Sequence, residues 1–158
     1  MTRQIAADET AKLVTGNCFE GLVRLDESGA IVPGAAQRWD VSADGRTYTF
    51  HLREGMKWHI ADSDELEELL GKGKTIDTTL NAEDFAFGLK RALLPETGMA
   101  SAKALYAIEN AQAVHRGTAR SDQLGVRVVN ASTLEIRLAR ADSAFLYALT
   151  LPMSMPCD

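Results

Sequence analysis

The chain of 158 residues is short of cysteine, of histidine and of long apolar runs, and each shortage closes off a class of function. Cys18 and Cys157 permit one disulfide but do not argue for it. Cys18 ends a helical pattern, where a thiol serves as a small buried hydrophobe. Two lone cysteines and three dispersed histidines match no recognised ligand spacing, so neither a metal nor a cofactor is expected. The longest apolar run falls far short of the ~20 residues a membrane-spanning helix needs. The net charge is −5 and the arginines are scattered without a basic stripe, which argues against a nucleic-acid partner.

Catalytic signatures are missing as well. There is no Gly-x-Ser-x-Gly elbow, phosphate loop, His-Glu-x-x-His or dinucleotide fingerprint. His51 falls mid-strand on a polar face, where a surface or sheet-lining histidine is commoner than a general base. His59 and His115 fall in a turn and at a helix end, with no nucleophile nearby in sequence. Glu83 and Asp84 open a helix, and capping with dipole stabilisation accounts for them. The chain is expected not to be an enzyme.

What is present is a globular composition, 46% apolar and 25% charged, sized for a single domain over residues 1–158. Two turn signals stand out, Ser28-Gly29 and Asp44-Gly45. Around the second, Trp39 and Val41 alternate with Asp40 and Ser42, and Tyr48, Phe50 and Leu52 alternate with Thr47, Thr49, His51 and Arg53. Period two puts each apolar set on one face, and Asp-Gly supplies the positive φ of a tight turn, so a hairpin is predicted with a wet face and an apolar face. A second hairpin is predicted from Val126 and Val128 through Asn130-Ala131-Ser132 to Leu134, Ile136 and Leu138. Leu22 to Leu25 form a short strand ended by residues 26–29, and Pro33, unable to donate to a ladder, places the next connection at an edge or loop.

Helical spacing appears in four places. Asp8 caps a first helix through Ala11, Val14 and Cys18. Asn81 with Asp84 has the form of a capping box, and Phe85, Gly88, Leu89, Ala92 and Leu93 share the face behind it. Phe87 and Leu94 lie off that face, which suggests contact with a second apolar surface. Ile108, Ala111 and Val114 predict a third helix closing at Gly117, and Phe145, Leu146, Leu149 and Leu151 a last one ended by Pro152. Strand-rich ends around a helical middle, without βαβ alternation, predict an α+β fold, an antiparallel sheet built from hairpins with covering helices. If the hairpins share one sheet, Phe85, Leu89 and Leu93 cover its apolar face.

Several of these stretches also form one signature. It comprises Phe19-Glu20-Gly21-Leu22-Val23, Pro33-Gly34-Ala35-Ala36, Trp39, Asp44-Gly45, residues 48–53, Gly55 and Lys57-Trp58, and continues in residues 82–85, 90–93, 124–126 and 133–135. It resembles the extracytoplasmic solute-binding proteins of ABC importers, the dipeptide, oligopeptide and nickel-binding type. The resemblance implies a subdomain of the first lobe of a two-lobe periplasmic-binding-protein-like fold. It also implies that the chain is a fragment of a larger binding protein, because Met1 falls within the family's first lobe and Asp158 falls where the family continues.

The function implied is capture of a peptide, or a similar small solute, outside the cytoplasmic membrane and delivery to the permease. The partners are then a peptide, which needs both lobes, and the ABC permease subunits. A peptide is favoured over nickel or a sugar. A periplasmic or extracytoplasmic location follows from the resemblance, although Met1 to Glu9 contain no apolar signal core and taken alone point to the cytoplasm. The ligand-facing residues implied are Asn17, Phe19 and Glu20, and Met99, Ser101 and Tyr106. Relatives often carry Ser-Pro-Tyr where this chain has Met99-Ala100-Ser101, so Tyr106 is the candidate to replace the missing aromatic. Core packing explains Phe19 and Tyr106 equally well, and loop fixation through backbone hydrogen bonds explains Glu20. Residues 60–80 are an insertion relative to the family, with Leu66, Leu69 and Leu70 opposite an acidic face that solvation explains. The alternative is a stand-alone interaction or scaffold domain without a transport role; a hydrolase using His51 is a third reading.

Overall fold

The structure is a computed structural model that describes residues 20–58 and 78–156. The first helical pattern, both cysteines, His59 and all but the last residues of the 60–80 insertion lie outside the described residues. Both turn signals make hairpins. Strand β1 (Val23–Leu25) pairs antiparallel with β2 (Ile31–Pro33), so Ser28-Gly29 does more than end a strand. The Asp26 carboxylate accepts from the Ser28 and Ala30 amides at 2.8 and 2.9 Å, and Gly29 takes φ +80°. Those local bonds close the turn without help from strand patterning. Pro33 ends a two-stranded ribbon, the edge position its missing N–H requires.

The two predicted hairpins share one antiparallel sheet. Strands β3 (Ala36–Val41), β4 (Thr47–Leu52), β5 (Val126–Asn130) and β6 (Thr133–Arg137) lie in the order β3-β4-β6-β5. The β4–β6 register sets Phe50 opposite Leu134 and Tyr48 opposite Ile136, so two locally encoded ribbons join through their best apolar pairs. Tyr48, Phe50 and Leu52 are buried as expected, with Leu134, Ile136 and Leu138. Val41 departs from expectation, being 47% exposed. It faces Tyr48 across an edge strand, whereas the covering helix packs on β5 and β6 at the other side of the sheet. Thr47, Thr49 and His51 are half-buried rather than wet, because neighbouring strands flank them on both sides.

Helix α1 (Ala82–Ala92) begins as its sequence requires: the Asn81 side chain accepts from the Glu83 amide at 2.7 Å and Asp84 accepts from the Asn81 amide at 2.8 Å. Phe85, Leu89 and Leu93 are wholly buried against the sheet. Each contributes roughly 1.5 to 3 kcal/mol of transfer energy, most of it offset by conformational entropy. A second surface does meet this helix, the 3₁₀ turn Pro152–Ser154, yet Phe87 stays 50% exposed.

The middle of the chain is less regular than its spacing suggested. After 3₁₀ turns at Pro95–Thr97 and Ala100–Leu105, helix α2 covers only Ala111–His115. Ile108 lies outside it, bridged to Leu138 of the sheet, because Asn110 takes φ +63° and separates the two. Helix α3 (Phe145–Ala148) is a single turn, and Pro152 starts a 3₁₀ turn there instead of ending the structure. Leu151, assigned to the apolar face, is 36% exposed. At the insertion, Trp58 donates to the Thr78 carbonyl at 2.7 Å and Leu80 to that of Met56 at 3.0 Å, so the chain departs and returns at adjacent points.

Candidate ligand-facing site

Of the six residues expected to face ligand, Asn17 and Phe19 lie outside the described residues. Glu20 is exposed, and its carboxylate lies 3.8 Å from Arg24 Nε and 3.6 Å from Arg53 Nη1. It therefore joins β1 to the end of β4 through side-chain charge. Exposed pairs of this kind contribute about 0 to 1 kcal/mol. Gly21 follows, packed so tightly that a Cβ there would sit 3.0 Å from the Leu149 carbonyl.

Met99 is buried and is the N-cap of the Ala100–Leu105 turn, with Ser101 exposed near its start and Tyr106 half-buried at its end. Tyr106 is engaged within the chain: its hydroxyl lies 3.1 Å from His115 Nδ1, and the two rings meet edge-on at 5.7 Å. Packing and polar pairing inside the chain thus occupy the side chain expected to replace a missing aromatic.

Helix α3 draws these pieces together. It packs on the Ala100–Leu105 turn, and Leu149 at its end abuts Gly21. Among the described residues no hydrogen bond or ion pair joins Glu20 to Met99, Ser101 or Tyr106, so the two groups share a neighbour rather than a network. Sequence reasoning missed Tyr147 on this helix, among the described residues the most exposed large apolar side chain at 51%. Its signal was the run Phe145-Leu146-Tyr147, in which Phe145 turns inward onto Tyr48, ring to ring at 5.2 Å, and leaves Tyr147 on the outside.

Asp26, Asp40 and Asp44 make structure at the two N-terminal hairpins. The Asp40 carboxylate is 2.8 Å from both Arg38 Nη1 and His51 Nε2, and the His51 bond first, then Arg38, holds its pKa below the usual carboxylate value. Asp26 and Asp44 are lowered chiefly by hydroxyls, those of Ser28 and Ser42, while burial followed by the charge of Asp142 raises Tyr48. Among the described residues no hydroxyl or thiol side chain is bonded to the His51 ring, whose Nε2 meets Asp40. Among the described residues no group of three or more histidine, cysteine or acidic side chains could hold a metal. No described helix is long and apolar enough to cross a membrane.

Comparison with known proteins agrees with this architecture. The chain is 42% identical over 127 residues to the periplasmic murein peptide-binding protein of Escherichia coli (strain K12), covering 79% of this chain and 20% of that protein. It is 34% identical over 155 residues to the probable deoxycholate-binding periplasmic protein of the same organism, covering 97% of this chain and 26% of that protein. The substrate-binding domain of an oligopeptide ABC transporter from Bacillus anthracis str. Ames superposes with a TM-score of 0.84 at 33% identity, over 99% of this chain and 27% of that one. The chain thus spans about a quarter or less of the length of these relatives. Residues 30–157 match the family described as bacterial extracellular solute-binding proteins, family 5 (middle region), and the chain belongs to that family.

Proposed function

We infer that the chain is part of the first lobe of the solute-receiving component of an ABC importer, non-enzymatic, acting outside the cytoplasmic membrane and passing a peptide to permease subunits. The observation that carries this reading is the superposition on the oligopeptide transporter's binding domain along nearly the whole chain. The site supports it: Glu20 and Ser101 are exposed, and α3 packs on the turn that carries Ser101 while Leu149 at its end abuts Gly21 beside Glu20. An extended peptide held by backbone pairing would be accepted with little regard to side chains. Closure of two lobes over it needs a second lobe, so residues 1–158 alone are expected to bind weakly or not at all.

The test is a chimera in which this chain replaces the matching stretch of the Escherichia coli murein peptide-binding protein, titrated by calorimetry with a di- to pentapeptide panel and with deoxycholate. Deoxycholate enters the panel because of the second relative above. Micromolar or tighter peptide binding by the chimera, with none by the chain alone, is expected. A folded chimera that takes deoxycholate and no peptide would replace the ligand class, and one that takes neither would remove the solute-capture reading. Tight peptide binding by the chain alone would refute the need for two lobes.

A further inference from the structure

The excursion from Pro95 to Gly117 is closed at its base. Gly117 takes φ +71° so close to Pro95 that an added Cβ would lie 3.5 Å from the proline Cγ. Inside this loop the 3₁₀ turn Ala100–Leu105 is seated in the core by Ala102 and Leu105, and no side chain caps its start at Met99. Hydrogen bonds in 3₁₀ turns are poorly aligned, so such a turn is held mainly by what touches it. Its far end is held by Tyr106, hydrogen-bonded at 3.1 Å to His115 Nδ1 with the rings edge-on at 72°. His115 is in turn carried by α2, whose Ala111 and Val114 are buried.

We propose that His115 is a positioning residue for ligand capture: acting through Tyr106, it holds the Ala100–Leu105 turn in one orientation and so fixes the exposed Ser101 where a peptide would meet it. This rests on the solute-capture reading above. With the imidazole proton on Nε2, Nδ1 accepts a hydrogen bond from the Tyr106 hydroxyl. A turn ordered beforehand loses less entropy when ligand arrives, so the benefit appears in peptide affinity.

Nuclear magnetic resonance of this chain should show His115 as the Nε2–H tautomer. The Ala102 and Tyr106 amides, which donate to the Met99 and Lys103 carbonyls at 3.0 and 3.1 Å, should exchange faster by about tenfold in His115→Ala, the loss expected from one hydrogen bond. In the chimera, His115→Ala and Tyr106→Phe should each weaken peptide binding by about tenfold, and the double variant no further. His115→Asn, whose amide oxygen can accept from the tyrosine, should recover most of the loss. Tyr106→Phe removes a single oxygen, and so serves where His115→Ala fails to fold. Unchanged affinity in Tyr106→Phe, or no recovery in His115→Asn, would overturn the proposal while leaving peptide capture in place. An unaltered chimera that binds no peptide would overturn both.

Discussion

Gly34 is the position where one added carbon should cost most for its size. A Cβ there would lie 2.5 Å from the Gly21 carbonyl oxygen and 3.1 and 3.2 Å from the Leu22 carbonyl oxygen and carbon, where 3.4 to 4 Å is ordinary contact. All three are backbone atoms, so no side chain can swing away. They are also held in place: Ala35 donates to Gly21 at 2.9 Å, and Gly34 and Ala36 donate to Leu22 at 3.2 and 3.0 Å. Relief in Gly34→Ala means prising the start of β1 from the start of β3. Overpacking costs about 1 to 3 kcal/mol and each weakened hydrogen bond about 1 kcal/mol, so a loss of about 2 to 4 kcal/mol is expected. At roughly 2 to 4 °C per kcal/mol for a chain of this size, the melting temperature should fall by about 5 to 15 °C. Urea unfolding followed by tryptophan fluorescence measures it, since Trp39 packs 6.4 Å from Phe50. Gly29→Ala is the control, because nothing lies within 4 Å of its added carbon and only φ +80° opposes it, a strain of about 1 to 2 kcal/mol. A Gly34→Ala variant within 0.5 kcal/mol of the parent (about the scatter of ordinary surface substitutions), or less affected than Gly29→Ala, would refute this account of the joint.

Other perturbations follow from the same coordinates. Phe50→Ala empties a site with no solvent exposure between Leu134 and Trp39 and should cost about 3 to 5 kcal/mol in urea unfolding. Asn81→Ala removes the acceptor for the Glu83 amide and should cost about 0.5 to 2 kcal/mol, whereas Asn81→Asp should cost little. The His51 hydrogen bond and the Arg38 charge hold the folded pKa of Asp40 below that of an ordinary aspartate, so its contribution is present above the ordinary value and lost as pH falls through the lowered folded one. Acid titration of Asp40→Asn should therefore show a shallower decline than the parent below about pH 4.

Local chemistry was legible in the sequence and long-range company was not. The capping box at Asn81, the Asp44-Gly45 hairpin and the burial of Tyr48, Phe50 and Leu52 each depend on residues a few positions apart, and all are as the sequence predicts. Val41 has the right period, but whether a face is covered depends on where α1 lies, and α1 covers the far side of the sheet. Ile108 keeps helical spacing to Ala111 and Val114, yet the left-handed Asn110 intervenes, a conformation that spacing does not report. Ser28-Gly29 carried a hairpin signal in Asp26 that the three-residue strands beside it were too short to confirm. At the candidate site, the exposure of Glu20 and Ser101 suits a ligand contact, whereas the pairing of Tyr106 with His115 could not be read from either residue alone.

The stretch after Tyr106 ties the Ala100–Leu105 turn to the sheet. Ala139 donates to the Ala107 carbonyl at 2.9 Å and Glu109 to that of Arg137 at 2.9 Å, while Gly125 donates to Glu109 at 2.9 Å and Arg137 to Gly125 at 2.7 Å. The Glu109 carboxylate adds an ion pair to Arg137 Nε at 3.3 Å. Residues 107–109 are therefore bonded to the end of β6 and to the residue before β5, and inherit the stiffness of the sheet. A substituent on Gly125 would strike this crossing at 2.5 Å from the Arg137 carbonyl, and spreading the three segments to admit it would break their mutual bonds. The Ala100–Leu105 turn hangs between that crossing and the Pro95–Gly117 base. Its orientation is set by the side chains that seat it, Ala102 and Leu105 in the core and the Tyr106–His115 pair at its far end, on a scaffold held by backbone bonds.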